Sequence, residues 1–220
     1  ATDQMLDSPT NNFATWNALT HNTSGATSYA QGNLQATTPV SSGGFGVSTL
    51  RLPTTGKFYS EYVFTATGTS PSVGVSELNP TAAYPVADTG IQSAYYDGYG
   101  NKWEDGSHTT VWSTFTAGDI IGIGYDSSTG SVSFYKNNTL QGSVTLASDE
   151  LHFVVSDGSG GSGSTVIANF GQDSSFAGNK TSQGNADGNG IGDFYYTPPT
   201  GFLALCTQNL PEPTVVPSEH

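Results

Sequence analysis

Short runs in which apolar and polar side chains alternate with a period of two recur along this chain, each closed by glycine, asparagine or aspartate, and few folds accommodate that pattern. In GKFYSEYVFTATG, Phe58, Ser60, Tyr62 and Phe64 fall on one face and Tyr59, Glu61 and Val63 on the other, the spacing of a β-strand between two surroundings. SVGVSEL repeats the pattern, and GDIIGIGYD, SVSFYKNN, QGSVTL, LHFVVSD and STVIANFG follow. Gly130 after Asp126, Ser127, Ser128 and Thr129 marks one hairpin turn, and Asn137 with Asn138 marks the next. Helix formers are scarce. The pattern predicts an all-β chain: a single antiparallel β-sandwich over residues 1–210 with long loops, followed by a proline-rich tail or linker over 211–220. Ile121, Ile123, Phe134, Val144, Phe153, Val155, Val166 and Phe170 are its expected core. Gly122 and Gly124, inside a strand, predict that another backbone or a large side chain fills the space above them.

Charge and composition narrow the function. Five Lys and Arg against 18 Asp and Glu leave a formal charge of −13, too few cations for a phosphate-binding face, so nucleic acid is not the expected partner. Eleven Phe, eleven Tyr and three Trp argue against disorder despite the acidity. No apolar run approaches the length of a membrane span. The opening ATDQMLDSPT has neither a basic nor an apolar leader region, so the chain reads as a mature product or a segment of a longer protein. Cys206, the single cysteine, reads as a small buried hydrophobe, and the lack of disulfides fits synthesis in a reducing cytoplasm.

Three stretches interrupt the alternation: residues 79–112, rich in Tyr, Trp, Asp and Gly; the Gly/Ser run 157–164; and the polar loop 171–193. The run from Phe115 to Gly142, FTAGDIIGIGYDSSTGSVSFYKNNTLQG, resembles the central signature of SPRY (B30.2-like) domains. GKFYSEYVF is similar to the SPRY strand that carries an aromatic pair and a Glu, SVGVSE to the strand after it, AYYDGYGNKWEDG to the loop before the signature, and VIANFG to a late strand. These matches keep the family's order over about residues 56–171. The end segments DSPTNNFATWN and GDFYYTPPTGFLALCTQNLPEPT resemble flanks of such domains in structural proteins of marine tailed bacteriophages. Together the resemblances imply a non-catalytic virion surface module, in a tail fibre or a capsid fibre or decoration. It would be made in the host cytoplasm and would contact other virion proteins, itself as an oligomer, or host-surface glycan or protein. A glycan hydrolase on the same sandwich and a cellular SPRY adaptor that binds a peptide are the alternatives.

The candidate chemistry is sparse. A hydrolase needs two carboxyl groups, and Glu61 and Glu77, each within a strand, are the candidates; Glu61 also matches a structural position of the SPRY strand. His21, His108, His152 and His220 are scattered, and the Gly/Ser run lacks the lysine of a phosphate loop. In NADGNGIGD, Asn185, Asp187, Asn189 and Asp193 space their oxygens like the first part of a calcium loop, with Gly190 at the bend and Tyr196 where the closing Glu would stand. That spacing is read either as a weak calcium site of about 10⁻⁴–10⁻³ M or as a polar turn; no other cofactor is expected. Tyr95, Tyr96, Asp97, Tyr99, Trp103, Asp105, His108 and Trp112 form the candidate binding surface, with about half expected to point inward, since aromatic faces with polar tips suit sugars and polar peptides. Sequons at Asn22, Asn137 and Asn179 are formal matches that would carry no glycan in a phage protein.

Overall fold

The computed structural model describes residues 11–20, 27–39, 44–78, 89–147, 150–158 and 162–212. Two sheets carry the fold. The first orders β1 (Ser28–Ala30), β2 (Gln35–Thr37), β13 (Thr165–Asn169), β4 (Lys57–Ala66), β9 (Ile120–Asp126), β10 (Ser131–Lys136) and β11 (Thr139–Thr145), and β14 (Leu203–Ala204) joins β4 in parallel. The second orders β3 (Gly44–Val47), β12 (Leu151–Asp157), β5 (Ser72–Glu77), β6 (Ser93–Asp97), β7 (Asn101–Glu104) and β8 (Ser107–Thr110).

Alternation sets the faces. Phe58, Tyr62 and Phe64 of β4 and Ile121 and Ile123 of β9 meet Val73 and Val75 of β5, Tyr96 of β6 and Phe153 and Val155 of β12 in one core between the sheets. All eight expected core residues are buried, as is Cys206. The two expected hairpins form. Gly130 takes φ 68° at the β9–β10 turn, and Asn137 and Asn138 take φ 47° and 65° at the β10–β11 turn, the left-handed pair that a two-residue hairpin requires.

Two stretches depart from the expectation of loops. Residues 93–110, within the expected loop 79–112, form β6, β7 and β8. Alternation is absent there: β6, Ser-Ala-Tyr-Tyr-Asp, mixes polar and apolar residues without a period although all five are buried, and β8, Ser-His-Thr-Thr, at the sheet edge, is polar and exposed throughout. Residues 79–88 lie outside the described residues, as do 159–161 of the Gly/Ser run and 213–220 of the tail.

The second departure is the segment after β13. It leaves the first sheet at Phe170, crosses that sheet's outer face and returns as β14 beside Phe58 and Tyr59, in the slot β13 vacates when its own pairing ends at Glu61. Its Phe194 and Ala204 pack with Tyr59, Phe13 and Cys206 in a second small core, with Ile191, Phe202 and Tyr135 against it. The glycine expectation is met here: a Cβ on Gly122 would lie 2.5 Å from the Tyr59 hydroxyl, and one on Gly124 2.7 Å from the Phe202 ring. The segment is therefore a third layer on the sandwich. Its end closes on the start of the chain, where Ala14 N–H donates to Leu205 O and Thr207 N–H to Asn12 O, both at 2.9 Å.

Candidate interaction surface and the buried carboxylates that shape it

Asp97, the last residue of β6, is fully buried, and its carboxylate organises the turn that follows. Oδ1 accepts the main-chain N–H groups of Tyr99 and Asn101 at 2.9 and 3.0 Å, and Oδ2 accepts Asn101 Nδ2 at 2.8 Å and Trp103 Nε1 at 2.7 Å. Four donors thus converge on the two oxygens, one for each of the four lone-pair sites. Asn101 extends the network, its Oδ1 accepting from the Thr110 hydroxyl on β8. The turn thereby holds Tyr99 outward, 57 % exposed, with its hydroxyl donating to Thr69 O. Val111, 63 % exposed, stands across the same turn through its N–H to Gly100 O.

A single transverse row on the outer face of the second sheet leads to the same region. Strand pairing places Val47, Val154, Gly74, Tyr95, Trp103 and His108 side by side across β3, β12, β5, β6, β7 and β8. Gly74 makes room for Tyr95, whose ring would lie 2.7 Å from a Cβ there. Burial decreases along the row: Val47, Val154 and Tyr95 are buried, Trp103 is half-buried and His108 is exposed, its ring tilted by 33° against Trp103 with centroids 4.3 Å apart.

The eight sequence-predicted surface residues thus divide. Tyr95, Tyr96 and Asp97 are fully buried and make no outside contact: Tyr95 fills the row, Tyr96 lies between the sheets, and Asp97 is the organiser beneath the turn. Tyr99, Asp105 and His108 are exposed, and Trp103 is half-buried. Trp112, also half-buried, closes the sandwich end, edge-on to Tyr96 at 5.2 Å and over Gly142. Val111 was missed, because an isolated valine in a polar stretch carries no period.

The four residues of the proposed calcium turn spend most of their polar atoms internally. Asp187 Oδ1 accepts the N–H groups of Asn189 and Ile191, and Oδ2 accepts Ala204 N–H and Asn209 Nδ2, all at 2.8–2.9 Å. Asn185 donates Nδ2 to the carbonyls of Phe194 and Tyr195, and its Oδ1 accepts from Thr197. Asn189 Nδ2 donates to Asn209, and Asp193 Oδ1 is buried without a hydrogen bond. Among the described residues no group of three or more His, Cys, Asp or Glu is placed to hold a metal ion. Asp187 ties the turn to β14 through Ala204 N–H.

Glu61 and Glu77 sit in different sheets. Glu61 is fully buried under the third layer, accepting Tyr196 N–H on Oε1 and Tyr195 N–H on Oε2, both at 2.8 Å, with Tyr59 Oη and Asn169 Nδ2 alongside. Burial pushes its carboxyl up to about 7 against the opposing effect of those hydrogen bonds. Glu77 is half-buried and accepts Gln92 N–H. Of the histidines, His152 packs its Nδ1 3.1 Å from Ser48 O and burial lowers its pKa; His21 and His220 lie outside the described residues.

The SPRY domain family model matches residues 57–173, more than half of the chain. Among solved structures, the SPRY domain of human HERC1 aligns with a TM-score of 0.59 at 20 % identity, covering 70 % of this chain and 96 % of that one. The TRIM65 PSpry domain aligns at 0.52 and 13 % identity, covering 71 % and 92 %, and stonustoxin at 0.53 and 16 %, covering 70 % of this chain and 28 % of the toxin. No curated protein sequence matches. The two-sheet architecture and the family match lead to one assignment: the chain belongs to the SPRY domain family, whose members are typically non-catalytic protein–protein interaction modules.

Proposed function

We propose that this chain is a non-catalytic recognition module that contacts a protein partner through the edge formed by Tyr99, Val111, Trp103 and His108. The observation that carries the reading is the buried Asp97: one carboxylate fixes both the Tyr99 turn and the Trp103 indole before any partner arrives. A surface ordered in advance loses less conformational entropy on binding, and aromatic anchors concentrate contact energy. On this edge Lys102 is paired with Glu104 at 3.1 Å, and Asp105 beside it is exposed.

Placement on a bacteriophage virion is part of this proposal and rests on the end segments that resemble phage structural proteins. Those two segments, far apart in sequence, meet in the hydrogen-bonded closure of residues 12–14 on 205–207. Two experiments test the function. Panning the purified chain against a random peptide library should enrich peptides whose binding falls at least tenfold in Tyr99→Ala and Trp103→Ala and holds in Leu78→Ala, while a parallel glycan array stays blank. Array binding that Trp103→Ala abolishes, with no peptide enriched, would move the assignment to carbohydrate. Oligosaccharide release from polysaccharide, lost in Glu61→Gln, would revive the hydrolase.

A further inference from the structure

We propose that Glu61 is a pH-sensitive latch that holds the third layer, residues 171–204, against the outer face of the first sheet and weakens that hold as the pH rises toward neutrality. Both oxygens of a single carboxyl receive consecutive main-chain N–H groups of Tyr195 and Tyr196, and the same carboxyl binds Asn169 of β13, whose amide also donates to Asp193 O. The carboxyl is fully buried, and among the described residues none of its hydrogen bonds or ion pairs involves Lys, Arg or His.

The groups facing it are uncharged or acidic. Tyr59 is on its own strand, Gly122 stands opposite on β9 with Tyr135 beyond it on β10, Asn169 faces from β13, and Tyr195, Tyr196 and Asp193 belong to the layer above. The nearest cations along these strands are engaged elsewhere: Lys57 binds Asp126 at 2.8 Å and Lys136 binds Asp119 at 3.2 Å. An ionised Glu61 is thus a buried charge with hydrogen bonds and no counter-charge. A proton on Oε1 removes the charge and turns its O–H toward Tyr59 Oη, which then accepts instead of donating; Oε1 keeps a lone pair toward the Tyr196 N–H, and Oε2 still accepts from Tyr195 and Asn169.

The direction follows from linkage. With the layer docked the carboxyl titrates at about 7, against an ordinary value of 4.5, so the docked state takes up the proton. Docking is strongest below pH 4.5, weakens as the pH rises to about 7 and is level above that. The test is amide hydrogen exchange of the full chain between pH 5 and pH 8, corrected for intrinsic rates, reading Tyr195 and Tyr196 against Ile123 in β9. The expected result is a loss of protection on the order of fiftyfold at Tyr195 and Tyr196, no comparable loss at Ile123, and a flat profile in Glu61→Gln. A flat profile in the parent, or a slope that persists in Glu61→Gln, overturns the latch. Should Glu61→Gln fail to fold, a carbon-13 titration of the parent decides the matter: a Glu61 midpoint near 7 supports the latch, and one at or below 4.5 overturns it.

Discussion

At the scale of single residues, the acidity of this chain has an internal use. Asp97 and Asp187 are buried, and main-chain N–H groups together with amide or indole donors take the places that five cations could not fill. Such a carboxylate fixes a turn more tightly than a surface ion pair, because every lone pair is committed and none is lost to solvent. Replacing one therefore strands several donors at once. Asp97→Ala should cost about 3 kcal/mol or more in denaturant unfolding, and Asp97→Asn nearly as much, since its amide N–H₂ would face existing donors. A loss under 1 kcal/mol for either variant would show that the turn is held by something else. The pH dependence has two sides. Glu61 and Asp157 are raised by burial, so their contribution is complete at acid pH and declines as the pH rises, for Glu61 between 4.5 and about 7. Asp119 and Asp126, lowered by hydrogen bonds and by Lys136 and Lys57 despite some burial, contribute above the ordinary carboxylate range and lose that contribution as the pH falls through it. A melting-temperature scan should peak at mildly acid pH, and a peak above pH 7.5 would contradict this assignment.

At the scale of elements, strands were readable where the residue types themselves alternate or run apolar, as in β4, β5, β9, β10, β12 and β13, although all of these but β10 are buried on both faces over most of their length. Reading failed where the residue types carry no period: β6 is Ser-Ala-Tyr-Tyr-Asp and β8 Ser-His-Thr-Thr, so Tyr95, Tyr96 and Asp97 could not be assigned to inside or outside from sequence. The glycines told more. Gly122 and Gly124 announced overlying side chains, though not which: Gly122 is covered by Tyr59 of the neighbouring strand, and Gly124 by Phe202, from a segment about 80 residues downstream that folds back. Gly122→Val should push against Tyr59 and loosen the third layer at a cost of about 1–3 kcal/mol, whereas Gly188→Val, with open space around it, should cost far less. The spacing of Asn185 to Asp193 was legible as a turn rich in oxygen, but not the direction of each oxygen, which the contacts to Ala204 and Asn209 determine. We expect several millimolar calcium to leave the melting temperature unchanged and Asp187→Ala to lower it with or without the ion; a calcium-dependent rise abolished by Asp187→Ala would establish the metal site.

At the scale of the whole molecule, the family was readable from the chain because its signature strands are contiguous, whereas the third layer was not, because it joins residues far apart in sequence through contacts that have no period. The closure of the two ends carries a mechanical consequence. Asn12 and Ala14 lie antiparallel to Thr207 and Leu205, and the chain enters and leaves on the same side of that short ladder. A tension applied across the two ends would load its hydrogen bonds one after another, as in a zipper, rather than all together in shear. The first event under load should then be peeling of the segment from Leu203 to Leu210 away from Phe13 and Tyr59, with the sandwich behind it still intact. Single-molecule stretching from the two ends should show a low-force step before the main rupture. Tethering the same chain from residue 19 and residue 128 should remove that step, since the pull would then bypass the ladder.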